Sequence, residues 1–524
     1  MSREKQLKIM NVIPYLVLLI MALAVIVLKR NYMVDEIYSY GLANHTEGIR
    51  IQLHDGLTYS PGDTPYMEYM TVQKDGRFNY ANVWLNQSND VHPPLYYAIL
   101  HTICSVFPET FSRFYAGGIN LVFAFITLYA LRQCVRCFTL KQWPLFAMSL
   151  MFAISPGILN NISFFRMYVM AMCFVTLTFL IFLKKYDRYQ DSENKPDLGF
   201  YISLCLCAFA GALTHYYCII FTVLISAVFA VWLLWTKRYG AAGGLVLSGA
   251  VSASAAWLAF PAMIEHMFHG YRGTQSMDNL KLSWKETLQR LSEFFAKTDA
   301  QLFGNLAVWL LAALLAGLIL YMLAGGKKNS AGFMKQNLFR FALLWIPCVL
   351  YFIFVGKSAA YTSDRYMFPV YALLLTGVIL PLILMADRLK PAVSMSIGAL
   401  VLTGISAMAY VRCPWPYLYT ESNALLKAAE SHAQTDCLYI YDINWKTQPS
   451  FEEIRRYERV TFIEMDNLAL LDEYEPQSTN DLIVKITKDD EKILERIRQR
   501  FPHLTHAESE GFYGYSSSWY LYGD

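Results

Sequence analysis

About eleven apolar stretches run through the 524 residues, each near the length at which a helix crosses a bilayer. They fall at 12–28, 114–131, 143–159, 167–183, 198–213, 216–235, 241–260, 302–323, 338–355, 367–385 and 393–411. Backbone groups in hydrocarbon must satisfy one another, so such stretches become helices packed side by side. Hydrophobic residues make up 55% of the chain and charged ones only 16%, against about 25% charged in soluble domains. The expected fold is mainly α, a polytopic membrane protein.

Charge sets the expected orientation. Arg3, Lys5 and Lys8 precede the first stretch, which reads as a retained anchor. With that end cytoplasmic, the inner loops hold Arg132/Arg136/Lys141, Lys184/Lys185/Arg188/Lys195, Lys237/Arg238, Lys327/Lys328/Lys335/Arg340 and Arg388/Lys390. The outer connections hold few cations, with Lys29 and Arg30 counting against the pattern. The basic excess is therefore a topology signal and not a nucleic-acid footprint. The stretch 94–107 is apolar but short, and counting it as a span would reverse every later loop. It reads as a helix in the outer interface, inside a first outer loop of 29–113. A second outer loop covers 261–301, helical near 284–295.

The tail differs in kind. From Tyr417 onward there are 20 acidic and 11 basic residues, whereas the rest holds 21 and 33. After the proline-rich CPWPY of 413–417, residues 417–524 read as a small extracytoplasmic α/β domain. Its expected helices are 421–433 and Asp490–Arg500, its strands Cys437–Tyr441, Val460–Glu464 and Asp481–Ile486, and 513–522 reads as a closing strand or hairpin. The ten cysteines lie mostly in apolar runs, and the CxxC of Cys134 and Cys137 stands alone at a helix end, so packing explains them.

Polar residues with chemistry to offer collect at one membrane face. Asp35 and Glu36 open a short amphipathic helix just beyond the first span. Asp35 suits either a helix cap or a base that takes a proton from a hydroxyl, and neighbours on a helix point about 100° apart. His92 sits in Asp90-Val91-His92-Pro93-Pro94. Arg166-Met167-Tyr168, His215, Lys357 and Arg365-Tyr366 all fall in outer connections. Any one of them suits an interface anchor. Together they describe a site for a substrate with a phosphate, held by arginine and lysine, and a lipid tail between helices.

These motifs, from the Asp35-Glu36 pair through HPPLYY, RMY and THY to the late RY, resemble the bacterial branch of the GT-C glycosyltransferase superfamily. Within it they are similar to the protein O-mannosyltransferase-like enzymes of glycosyltransferase family 39. The resemblance covers residues 1–410. It implies an inverting enzyme that moves a hexose or pentose from a polyprenyl-phosphate carrier to an acceptor hydroxyl on a cell-envelope glycan, lipid or protein. It implies Asp35 as catalytic base with Glu36 beside it, horizontal helices in the first outer loop, and no metal or other cofactor. His92, Arg166, Tyr168, His215, Lys357, Arg365 and Tyr366 are the expected donor ligands. Arg166 is a departure, because the related aminoarabinose transferases carry an acid in that loop, so its phosphate role rests on charge. The expected location is the cell membrane, with the N-terminus cytoplasmic. A lipid-linked-substrate transporter or flippase is the first alternative, but it would place charges near the bilayer midplane. A non-catalytic envelope assembly protein is the second.

Overall fold

The computed structural model describes residues 3–60, 63–190, 197–323, 330–386, 391–477 and 480–524. Lys195, Lys327, Lys328, Arg388 and Lys390, expected in inner loops, lie outside these residues. The chain opens with α1 (Arg3–Leu28). The first loop then forms α2 (Val34–Asn44), a two-residue strand β1 (Thr58–Tyr59), α3 (Pro65–Met70), α4 (Tyr80–Asn89) and α5 (Leu95–Val106). The bundle continues through α6 (Arg113–Phe138), α7 (Gln142–Ile154), α8 (Pro156–Ser163), α9 (Tyr168–Gln190), α10 (Leu198–Ala212), α11 (Tyr216–Trp235) and α12 (Tyr239–Ala259). The second loop forms α13 (Tyr271–Asn279) and α14 (Trp284–Phe303), and α15 (Ala307–Leu323), α16 (Ser330–Ser358), α17 (Tyr371–Ala386) and α18 (Pro391–Arg412) complete the bundle.

Among the described residues seven helices are long and apolar enough to cross a membrane, and two bent pairs raise this to nine. The eleven expected stretches also include α10 and α18, whose Gly398–Arg412 portion is apolar but shorter. Along α1, Val12, Leu16, Ile20, Leu23 and Val27 are exposed at helical spacing while Leu18, Ala22, Val25 and Ile26 are buried. That is an apolar face turned to lipid and another turned to protein. The chain is a multi-pass membrane protein.

Two expected spans are corrected. The stretch 143–159 is broken before Pro156, and α7 and α8 meet at 47°. The stretch 302–323 is cut at Gly304, where α14 and α15 meet at 77°. Gly304 has φ +63, and a Cβ there would lie 2.4 Å from the backbone of Met408, so the corner needs glycine. The amphipathic helix expected at 284–295 consequently runs on to Phe303. The short apolar stretch 94–107 becomes α5, which packs on α2, α4 and α6 inside the first loop.

The tail contains α19 (Asn423–Ser431), β2 (Cys437–Tyr441), α20 (Phe451–Ile454), β3 (Val460–Glu464), β4 (Asp481–Ile486), α21 (Asp490–Arg500), β5 (His506–Tyr513) and β6 (Ser516–Tyr522). The segment expected as a closing strand or hairpin is the second arm of a hairpin, β6 pairing antiparallel with β5. The sheet order is β1-β3-β2-β4-β6-β5, with β2 parallel to β3 and β4 and the other pairs antiparallel. Alternation divides its faces. Leu438 and Ile440 join a core with Ile493 and Ile497 of α21. Cys437, Tyr439 and Tyr441 instead join the core that is continuous with the bundle.

The sheet is therefore not free-standing. Its edge strand β1 comes from the first loop, pairing Thr58 with Thr461 and Tyr59 with Val460. The Tyr441 hydroxyl donates to Asp55 at 2.8 Å, the Asn444 amide to the Ile51 carbonyl at 3.1 Å, and the Arg30 N–H to the Leu418 carbonyl at 2.8 Å. A chain ending at Arg412 would leave these groups and the apolar face of the first loop uncovered. We expect it not to accumulate as folded protein. A normal level of protease-resistant truncated chain in membranes would show that the first loop stands without the tail.

Candidate active site

Asp35 and Glu36 open α2 side by side and are put to different uses. Glu36 is fully buried. It accepts from the Lys29 ammonium at 2.8 Å, from the Phe165 N–H at 2.8 Å and from the Met33 N–H at 3.2 Å. Lys29 also donates to the carbonyls of Ser163 at 3.0 Å and Tyr417 at 2.8 Å. Its ammonium lies 4.3 Å from the Tyr419 ring centroid. Burial pushes the Lys29 pKa down to about 8, with Glu36 resisting the shift. Lys29, which counted against the charge pattern, is a buried structural cation. Glu36, expected beside Asp35 as a catalytic acid, is committed to that cation and has no route to a substrate.

Asp35 is open where Glu36 is closed: 38% of its side chain is exposed, against none of Glu36. The Arg365 guanidinium donates directly to its carboxylate. Arg166 donates to its backbone carbonyl at 2.5 Å and stands 4.0 Å from the carboxylate. Burial opposes the charge on Asp35, but Arg365 and then Arg166 overcome it and hold the carboxyl well below the usual carboxylate range.

The network extends through His92. Arg166 donates to His92 Nε2 at 3.1 Å, and His92 Nδ1 donates to Asp90 at 2.8 Å. This assignment leaves the imidazole neutral. Burial and the nearby Arg166 charge also push its pKa down, against the pull of Asp90. Asp90 thus fixes the His92 tautomer, His92 aims Arg166, and Arg166 supports the backbone that carries Asp35. His215 caps α11, accepting from the Tyr217 N–H at 3.1 Å, with its ring 6.3 Å from His92 and 5.2 Å from Tyr168. Tyr366 packs edge-on to Tyr217 at 5.6 Å. The structure brings Asp35, His92, Arg166, Tyr168, His215, Arg365 and Tyr366 together from five separate parts of the chain. Lys357 is not drawn in: its ammonium sits 5.8 Å from the ring centroid of Trp284. Among the described residues no group of three or more His, Cys, Asp or Glu side chains is placed to hold a metal ion.

Two supports were not legible in the motifs. Asp364 accepts from Tyr417 at 2.5 Å, from Gln301 at 2.6 Å and from the Arg365 N–H at 2.9 Å, fixing the turn that carries Arg365. Arg272, in the second loop, lies over the Tyr361 ring at 4.7 Å and lines a cavity of about 290 Å³ with His92, His215, His266 and Tyr366. A second cavity, about 420 Å³ and almost wholly apolar, lies between α10, α11 and α12. Ile219 and Met267 line both, so the cavity at His92 adjoins this apolar groove.

Comparison with known proteins gives two independent findings. The model of glycosyltransferase family 87 matches residues 91–347, a stretch that includes His92, Arg166, Tyr168 and His215. The crystal structure of ArnT from Cupriavidus metallidurans bound to undecaprenyl phosphate aligns over 99% of this chain and 98% of its own, at 10% identity and a TM-score of 0.54. The apo structure of the same protein aligns over 92% and 95%, at 11% identity and a TM-score of 0.47. No curated protein matches the chain in sequence. The motifs resemble family 39, while the family model that matches, over just under half of the chain, is that of family 87. This chain is an integral membrane protein built on the GT-C glycosyltransferase fold.

Proposed function

We propose that this chain is an inverting glycosyltransferase that moves a sugar, a hexose or a pentose, from a polyprenyl-phosphate carrier to an acceptor hydroxyl. One observation carries the reading: an accessible carboxylate, Asp35, held by Arg365 and Arg166, with the Arg166 partner His92 lining a cavity that adjoins an apolar groove. A water-soluble substrate has no use for the groove. A substrate with an anionic head and a hydrocarbon tail uses both parts. The ArnT structure of the same fold holds undecaprenyl phosphate, which is such a molecule. The motifs that resemble family 39 all fall in or around this site, which supports a shared donor chemistry.

The chemistry follows from the arrangement. The tail lies between helices and the phosphate reaches the arginines. Arg365 then exchanges part of its hold on Asp35 for the phosphate, and the Asp35 carboxylate becomes a stronger base. Asp35 takes the proton of the acceptor hydroxyl, whose oxygen attacks the anomeric carbon. The bond from that carbon to the phosphate oxygen breaks, and polyprenyl phosphate departs with its charge stabilised by arginine. Glu36 is committed to Lys29, and Asp90 to His92. With Asp35 as the one of these three left open to substrate, the reaction has a base but no separate nucleophile, which favours inversion. The charge pattern of the loops supports a site on the extracytoplasmic face of the cell membrane.

The test is incubation of the purified full-length chain with a panel of labelled undecaprenyl-phosphate sugars and membrane extracts as acceptor. Transfer of label from one donor is the expected result, and no transfer and no binding across the panel would overturn the reading. Arg365→Ala is expected to weaken binding of undecaprenyl phosphate about tenfold or more, as a lost charge-assisted pair would. Full affinity in that variant would remove Arg365 from the phosphate site.

A further inference from the structure

The tail packs against the helix that carries Asp35: its 3-10 helix Asn444–Ser450 touches α2, and the Tyr513 hydroxyl lies 3.9 Å from the sulfur of Met33. The 3-10 helix Asn444–Ser450 and the β5–β6 turn bring Trp445 and Tyr515 together, with ring centroids 4.9 Å apart and planes at 84°. Both rings are half-buried. Burial, then the charge of Asp35 and the nearby Tyr361, push the Tyr515 phenol up. Tyr271 of the second loop and Tyr361 of the connection after α16, 65% and 50% exposed, each lie beside Arg272, which lines the cavity with His92. Asp35 and Asp90 also act on Tyr271. Beside Trp445, Lys446 pairs with Asp442 at 2.5 Å.

Four aromatic rings, two from the tail and two beside Arg272, therefore lie around the Asp35 site, with a charged pair among them. A lipid would require a continuous apolar wall, which the Asp442–Lys446 pair interrupts. A peptide backbone would require a free strand edge, and this surface is a helix and a turn. A sugar ring matches both features. Its C–H face packs on the negative face of an aromatic ring, and its hydroxyls reach phenols and charged groups at the rim.

We propose that Trp445 and Tyr515, together with Tyr271 and Tyr361, form the acceptor subsite, and that the acceptor is a saccharide. This rests on the glycosyltransferase reading of the Asp35 site. The tail then holds the acceptor's sugar over the base while the donor enters from the membrane side.

The test uses the full-length chain, a labelled undecaprenyl-phosphate sugar that it accepts, and two acceptor sets. One is defined oligosaccharides ending in mannose, galactose or N-acetylglucosamine; the other is serine- and threonine-containing peptides. Transfer to an oligosaccharide is expected. Trp445→Ala and Tyr515→Ala are each expected to raise its KM about tenfold, with the donor KM unchanged. Trp445→Phe and Tyr515→Phe keep a ring and are expected to stay near wild type. Equilibrium binding of the labelled oligosaccharides, measured without donor, is expected to fall in the alanine variants alone. Saccharide binding through these rings without any transfer would support this subsite while overturning the transferase reading. An unchanged saccharide KM in both alanine variants, or preferential labelling of peptides, would overturn the subsite.

Discussion

Asp35→Asn is expected to lower sugar transfer by about 10²–10⁴-fold, the range for a lost general base. Binding of undecaprenyl phosphate should be kept, or tightened a few-fold. The reason for the second half is the ion pair. In the free protein Arg365 donates to the Asp35 carboxylate, and the substrate phosphate must compete for the same guanidinium. Asparagine has the shape of aspartate without its charge, so it leaves Arg365 free for phosphate while removing the proton acceptor. Turnover assays and donor-binding isotherms on the same preparation separate the two effects. Unchanged turnover would remove Asp35 from the reaction. A large loss of donor affinity would show that Asp35 organises the phosphate site instead of competing with phosphate for it.

Lys29→Met is expected to be the most damaging single change to stability. Lys29 and Glu36 are 1% and 0% exposed, and removing the ammonium leaves a carboxylate buried without a counter-charge. Breaking such a pair costs about 3–5 kcal/mol, a large part of the roughly 5–15 kcal/mol that holds a typical domain together. The apparent melting temperature of the detergent-solubilised variant should drop sharply. The double variant Lys29→Met with Glu36→Leu removes both charges and should recover much of the loss. It also decides between two roles for Glu36. A stable double variant that still transfers sugar marks Glu36 as structural, and a stable one without turnover would restore it to catalysis. Wild-type stability in Lys29→Met alone would show that the pair carries no weight.

The sequence made the membrane character legible because burial in lipid leaves a long, uniform signal. The site motifs were legible for a related reason. A short polar segment between two spans has nowhere to lie except the membrane surface, so Arg166, His215 and Arg365 had to share a face. What stayed hidden depended on contacts between distant parts of the chain. The two residues of β1 are too few to show any period, so nothing marked Thr58–Tyr59 as part of the tail's sheet. The apolar run through Gly304 is unbroken in composition, and only the closeness of Met408 explains the corner. Asp35 and Glu36 are chemically alike and adjacent. Which one is open and which is sealed is decided by Lys29, whose charge had looked like an exception to the topology rule. Lys357 shares the charge and depth of the site's cations but packs against Trp284. Trp445 and Tyr515 carry no local mark of their nearness to Asp35.

The shared sheet also governs how this protein comes into being. β1 meets its partner 403 residues later, and the Lys29 ammonium meets the Tyr417 carbonyl after 388. A ribosome has therefore released nearly the whole polypeptide, and the last span has been inserted, before the segment bearing Asp35 can settle. Half-made copies have no assembled centre with which to act on the lipid pool, and a copy whose end is clipped or stalled exposes its flaw at the beginning. Maturation and competence are thereby tied to the same late event.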